Sequence, residues 1–117
     1  MSQQPILLTL RYRARLLARQ LTSLQLRCNS LTYAHRLPEL VAVSLCPIAQ
    51  QLDELEVLSA GTSLNDLLEQ ANRYTTALLT LLASTPDTLT AAELAPMISP
   101  AIRLLTEAEH QAMGVKA

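Results

Sequence analysis

The sequence predicts an all-α protein, a compact four-helix up-down bundle, and three observations carry that expectation. Leucine and alanine supply 26 and 16 of the 117 residues, and both lose little on entering a helix. The only aromatics are three tyrosines, so the residue types that suit strands are scarce. Long stretches also repeat apolar residues at alternating steps of three and four, the period of one helix face. Half of the chain is apolar, enough at this length for one modest core, so residues 1–117 read as a single helical-bundle domain.

The first helix is expected from about Pro5 to about Arg36. Pro5 suits an opening turn, where its missing N–H costs nothing, and a residue preceding Pro38 is pushed out of the α region. Its seam reads Leu7, Leu10, Ala14, Leu17, Leu21, Leu24, Cys28, Leu31 and His35, a sustained heptad stripe suited to helices packed nearly parallel or antiparallel.

The second segment, from about Glu39 to Ser59, repeats the spacing with Val41, Leu45, Ile48, Leu52 and Leu55. Pro47 lies inside it and should kink it or divide it in two, with Cys46 at the joint. Gly61 then supplies a helix stop.

The third helix is expected to open on Ser63 as its cap, with Asp66 near the positive helix end. From Leu64 to Leu82 its apolar residues, with Tyr74 and Leu81 among them, cover roughly 160° at 100° per residue, the width of a helix touching two neighbours.

In the last segment Thr90 and Glu93 have capping-box spacing. Pro96 or Pro100 should interrupt the helix they open, and Ser99–Pro100 resembles a fresh start. A final helix over about 100–113 then buries Ala101, Leu104, Leu105, Ala108 and Ala112, and Gly114 ends it. With breaks at Pro47 and Pro100 the bundle would count five helices.

Leucines 10, 17, 24 and 31 stand seven apart, as in a leucine zipper. In a chain this rich in leucine, about 0.2 such runs are expected from composition alone, before any helical patterning. The flanking positions, among them Arg11, Gln25, Arg13 and Arg27, hold no complementary charges of the kind that select a zipper partner. The seam therefore specifies packing rather than a partner.

The opposite side of the first helix is more informative. Leu8, Tyr12, Leu16, Leu26 and Tyr33 lie away from the seam, interleaved with Arg15 and Arg19. Other helices of the chain could cover them, but Tyr and Arg are enriched in interface hot spots, so these seven residues form the candidate partner-binding surface. Only 16% of residues are charged, against about 25% in an average protein. That shortage points the same way, toward a surface covered by another chain, with a homodimer as the expected form.

The net charge of −1 conceals an asymmetry. Residues 1–38 hold six arginines and no acid, while residues 39–117 hold two arginines and one lysine against ten acids. Arg11, Arg15 and Arg19 form one row that could neutralise phosphates, which makes a nucleic-acid-binding regulator the alternative reading. However, no helix-turn-helix signature accompanies the row, and Tyr12 and Tyr33 are too few for a stacking platform. A turn near Pro38 would instead bring the acids at 53, 54, 56, 66 and 69 to the arginines, cancelling the field that nucleic acid needs.

No catalytic constellation emerges. Glu107 and His110 have the i, i+3 spacing of di-iron carboxylate bundles, but such sites need a second pair, and Thr32 stands three residues before His35. Cys28 and His35 lie two turns apart, roughly 10 Å along the axis and beyond direct contact. The two glycines, Gly61 and Gly114, offer no phosphate-cradling loop. No metal and no cofactor is expected. No stretch reads as an export signal, and the longest uncharged runs have 13 residues, too short to span a bilayer. Cys28 and Cys46, both in apolar helical patterns, read as buried thiols of a reducing cytoplasm. The sequence thus points to a non-catalytic cytoplasmic protein–protein interaction module that self-associates.

Overall fold

The computed structural model describes residues 3–30, 37–84 and 90–114. All of these except residues 59–64 and 90 belong to four helices: α1 (Gln3–Ser30), α2 (Leu37–Leu58), α3 (Asn65–Ser84) and α4 (Ala91–Gly114). Among the described residues there is no strand, and the architecture is the expected all-α four-helix bundle. Residues 31–36, which include Leu31, Tyr33, His35 and Arg36, lie outside the described residues, so the expected extension of the first helix to Arg36 lies there too.

The apolar seams are the core. Leu10, Ala14, Leu17, Leu21, Leu24 and Cys28 of α1 are buried. They meet Val41, Leu45, Ile48, Leu52 and Leu55 of α2, and Leu68, Ala71, Leu78 and Leu82 of α3, in one cluster that α4 completes. The wide apolar face expected of α3 narrows at one edge: Leu81 is exposed.

Cross-helix contacts fix the up-down order. Arg13 pairs with Glu54 at 2.9 Å and Arg27 reaches Ser44 at 3.5 Å, so α1 and α2 run antiparallel. Gln25 donates to Ala95 O at 2.6 Å, and Arg15 lies 3.8 Å from Glu109. That sets α4 antiparallel to α1.

The helices are not evenly spaced around the core. α1 packs most extensively on α4 and only sparsely on α2. The α4-facing flank of α1 carries Ala14 and Ala18, both buried, and Ala95 is buried opposite. Small residues at a contact let helix axes approach. Toward α2, the flank of α1 instead carries the long polar side chains of Arg13, Gln20 and Arg27, and Arg13 and Arg27 reach across to Glu54 and Ser44.

The α2–α3 turn is sewn by side chains. Gly61 has φ +84°, a conformation other residues reach only at a cost of about 1–2 kcal/mol. Thr62 donates to Ser59 O at 2.7 Å and accepts from the Leu64 N–H at 3.2 Å. Asn65 donates to Glu56 O and to the buried Ser59 hydroxyl. The side-chain bonds ahead of α3 thus come from Thr62 and Asn65, not from Ser63 as expected. At α4 the capping box is present as expected: the Thr90 N–H donates to Glu93 Oε1 at 2.9 Å, and the Glu93 N–H to Thr90 Oγ1 at 3.3 Å.

The prolines do not divide the helices. α2 continues through Pro47 and α4 through Pro96 and Pro100, which corrects the expected breaks and the five-helix count. A helical proline removes one backbone bond and crowds the carbonyl four residues earlier. In α4 the affected stretch is held from both sides: Gln25 of α1 donates to Ala95 O, and Tyr74 of α3 donates to Met97 O at 2.5 Å. Burial of Leu94, Ala95, Ile98 and Ala101 around the prolines outweighs the local preference to stop. One buried side-chain oxygen among the described residues, Thr75 Oγ1, has no partner.

Tyr74 links this packing to pH. Burial raises its phenol above the ordinary value of 10.0, so the folded state favours the neutral, hydrogen-bonded form. A raised folded value means the contribution is complete below pH 10 and is lost as pH climbs past it. Chemical denaturation at pH 8 and pH 11 should therefore show an alkaline loss of stability that Tyr74→Phe reduces.

Candidate protein-docking surface on α1 and α2

The sparse α1–α2 contact leaves an open groove of about 490 Å³. Leu16, Arg19 and Ser23 line it from α1, and Ser44, Pro47 and Ile48 line it from α2. Leu24 and Ile48, both buried, form its floor. The groove lining includes Arg19 and Arg27 and no carboxylate.

The exposed apolar residues are concentrated on the two helices that form this groove. Nine large hydrophobic side chains are exposed among the described residues, and seven belong to α1 and α2. Leu8, Tyr12 and Leu26 stand on α1 at 59%, 62% and 64% exposure, and Leu40, Val43, Val57 and Leu58 on α2. Val57 is the most exposed, at 78%. Isolated surface leucines are ordinary, but seven exposed apolar side chains on two adjacent helices mark a candidate contact face.

The expected partner-binding residues thus separate into three groups. Leu8, Tyr12 and Leu26 are exposed, Leu16 and Arg19 enter the groove, and Arg15 is exposed at its side near Glu109. Tyr33 lies outside the described residues. The sequence reading missed the contribution of α2, although Leu40, Val43, Val57 and Leu58 lie off the α2 seam just as Leu8, Tyr12 and Leu26 lie off that of α1. The same criterion applied to both helices would have found them.

The charge match expected between the arginines and the acids at 53–69 forms only in part. Arg13 takes Glu54. Arg15 finds Glu109 of α4 instead, Glu69 pairs with Arg73 on its own helix at 2.6 Å, and Asp53 and Glu56 accept from Asn72. Arg11 and Arg19 have no hydrogen-bond or ion-pair partner among the described residues. The expectation failed because α4, not the α2–α3 corner, packs beside the arginine row.

The chemistry-bearing groups remain scattered. Among the described residues no three His, Cys, Asp or Glu side chains gather as a metal site, and no helix is long and apolar enough to cross a membrane. Cys28 is buried as expected, but Cys46 is exposed, correcting its assignment to the core. Position 46 falls on the outer side of α2, one residue beyond buried Leu45. Burial pushes the Cys28 thiol up, and the nearby Arg27 draws it back by less.

No family model matches the chain, and neither a curated protein nor a solved structure matches it.

The thiols report directly on this geometry. A thiol reagent at neutral pH should modify Cys46 quickly in the folded protein and Cys28 only in denaturant, giving one and then two labels by mass spectrometry. Two fast labels would contradict the placement of Cys28.

Proposed function

We propose that this protein is a non-catalytic protein–protein interaction module that docks its partner on the outer face of α1 and α2. The observation that carries this reading is the concentration of exposed apolar side chains on those two helices, which also bound an open groove. Interfaces combine an apolar, aromatic-bearing centre with an arginine-rich edge, and Tyr12, Leu16, Leu26 and Arg19 supply that combination. A self-associating form is economical, because one surface then serves both partners. A reducing, cytoplasmic setting suits two unpaired cysteines, one of them exposed.

Site-specific photo-crosslinking in cells tests the reading. A photoreactive phenylalanine analogue in place of Tyr12 or Leu26 should yield protein adducts. The same group in place of Gln70 or Thr76, exposed on α3, should not. Equal yields at all four positions, or none, would remove the docking face.

A second reading, nucleic-acid binding along Arg11, Arg15 and Arg19, has one observation in its favour: Arg11 and Arg19 lack carboxylate partners among the described residues. It requires retention on heparin at low salt that falls steeply with ionic strength and disappears when all three arginines become alanine. No retention at low salt would end it.

A further inference from the structure

The occupant of the α1–α2 face can be specified from the distribution of its charges and apolar ends. Arg13–Glu54 and Arg27–Ser44 place the two helices side by side and antiparallel. At one end of the face, Leu8 and Tyr12 of α1 therefore lie level with Val57 and Leu58 of α2. At the other end, Leu26 lies level with Val43. Between them stand Arg19, unpartnered among the described residues, and Glu54, whose side chain is 66% exposed despite its bond to Arg13.

We infer that a second copy of this chain occupies the face, in a two-fold dimer whose axis runs along the helices and lays α1 of each copy on α2 of the other. This inference rests on the docking-face reading. The arrangement sets Tyr12 against Val57 and Leu26 against Val43 across the interface, apolar on apolar at both ends. It also brings Arg19 of each copy toward Glu54 of the other, since an arginine side chain spans the axial offset of roughly one helical turn. A two-fold axis across the helices would instead lay α1 on α1. Arg19, near the middle of the face, would then stand against its own counterpart and away from Glu54, and like charges juxtaposed in an interface oppose association.

Size agrees with self-association. The 28 residues of α1 are ~42 Å long, and two helices side by side are ~20 Å wide, so the face offers on the order of 800 Å², the area each partner contributes to a standard interface. The outer face is also concave along the groove, which suits an inserted side chain better than a membrane surface. The acid at Glu54 interrupts the continuous positive field that a phosphate backbone requires.

A charge exchange tests the dimer and its geometry together. Light scattering of the purified full chain should give twice the chain mass of 12.8 kDa. Arg19→Glu alone sets Glu against Glu54, and Glu54→Arg alone sets Arg against Arg19, so each should weaken self-association by about tenfold or more. Mixed in equal amounts, the two variants should recover dimers, because each interface then pairs opposite charges. That recovery also shows that both variants are folded. A wild-type chain that stays monomeric at high concentration overturns the inference. A dimer indifferent to both substitutions, or variants that fail to rescue each other, overturns it as well. If the chain is monomeric yet the photoreactive group at position 12 captures a different protein, self-association falls while the docking face stands. Monomer and no adduct together remove both.

Discussion

The close approach of α1 and α4 is the constraint from which the rest of the molecule follows. Ala14, Ala18 and Ala95 let these two helices pack tightly, and Gln25 reaches across the contact to the Ala95 carbonyl and the Ser99 hydroxyl. Once α1 is committed to α4 on one flank, its arginines and glutamine on the other flank meet α2. There Arg13 and Arg27 bond to Glu54 and Ser44, and the two helices pack only sparsely. The groove lies along this looser contact.

The same contact explains how α4 tolerates two internal prolines. Pro96 and Pro100 each remove one N–H from the helical ladder. Gln25 and Tyr74, from the helices on either side, donate to the neighbouring Ala95 and Met97 carbonyls and tie this stretch to α1 and α3. Local sequence argues for a stop, whereas the neighbours argue for continuity, and packing prevails because it engages several buried side chains at once. Pro47 meets the same outcome in α2 by a simpler route. It faces outward, so its ring disturbs no core contact.

These cases show what could be read from residues alone and what could not. The seam of α1 from Leu10 to Cys28, the seam of α2, the turn glycine at 61 and the Thr90–Glu93 capping box are local or periodic signals, and each stands where the sequence placed it. The continuity of α4 could not be read, because the packing around its prolines comes from helices remote in sequence, with Gln25 and Tyr74 reaching in from α1 and α3. The partner of Arg15 escaped for a similar reason: connectivity suggests that consecutive helices meet, but Glu109 arrives from the helix most distant in sequence. Half of the candidate site was legible as the off-seam residues of α1. The half on α2, Leu40, Val43, Val57 and Leu58, carries the same off-seam periodicity.

The span of the α1–α4 contact has a kinetic consequence. The bonds that sew α2 to α3 join residues no more than 19 positions apart, while Gln25 and Ala95 are separated by 70. Loop-closure entropy grows with separation, so the interface that shapes the whole bundle is also the one with the largest entropic cost to form. During synthesis from the N-terminus, the leucine and alanine seam of α1 is made well before the helix that covers it. The newborn chain therefore carries its stickiest surface open to solvent until its last quarter emerges.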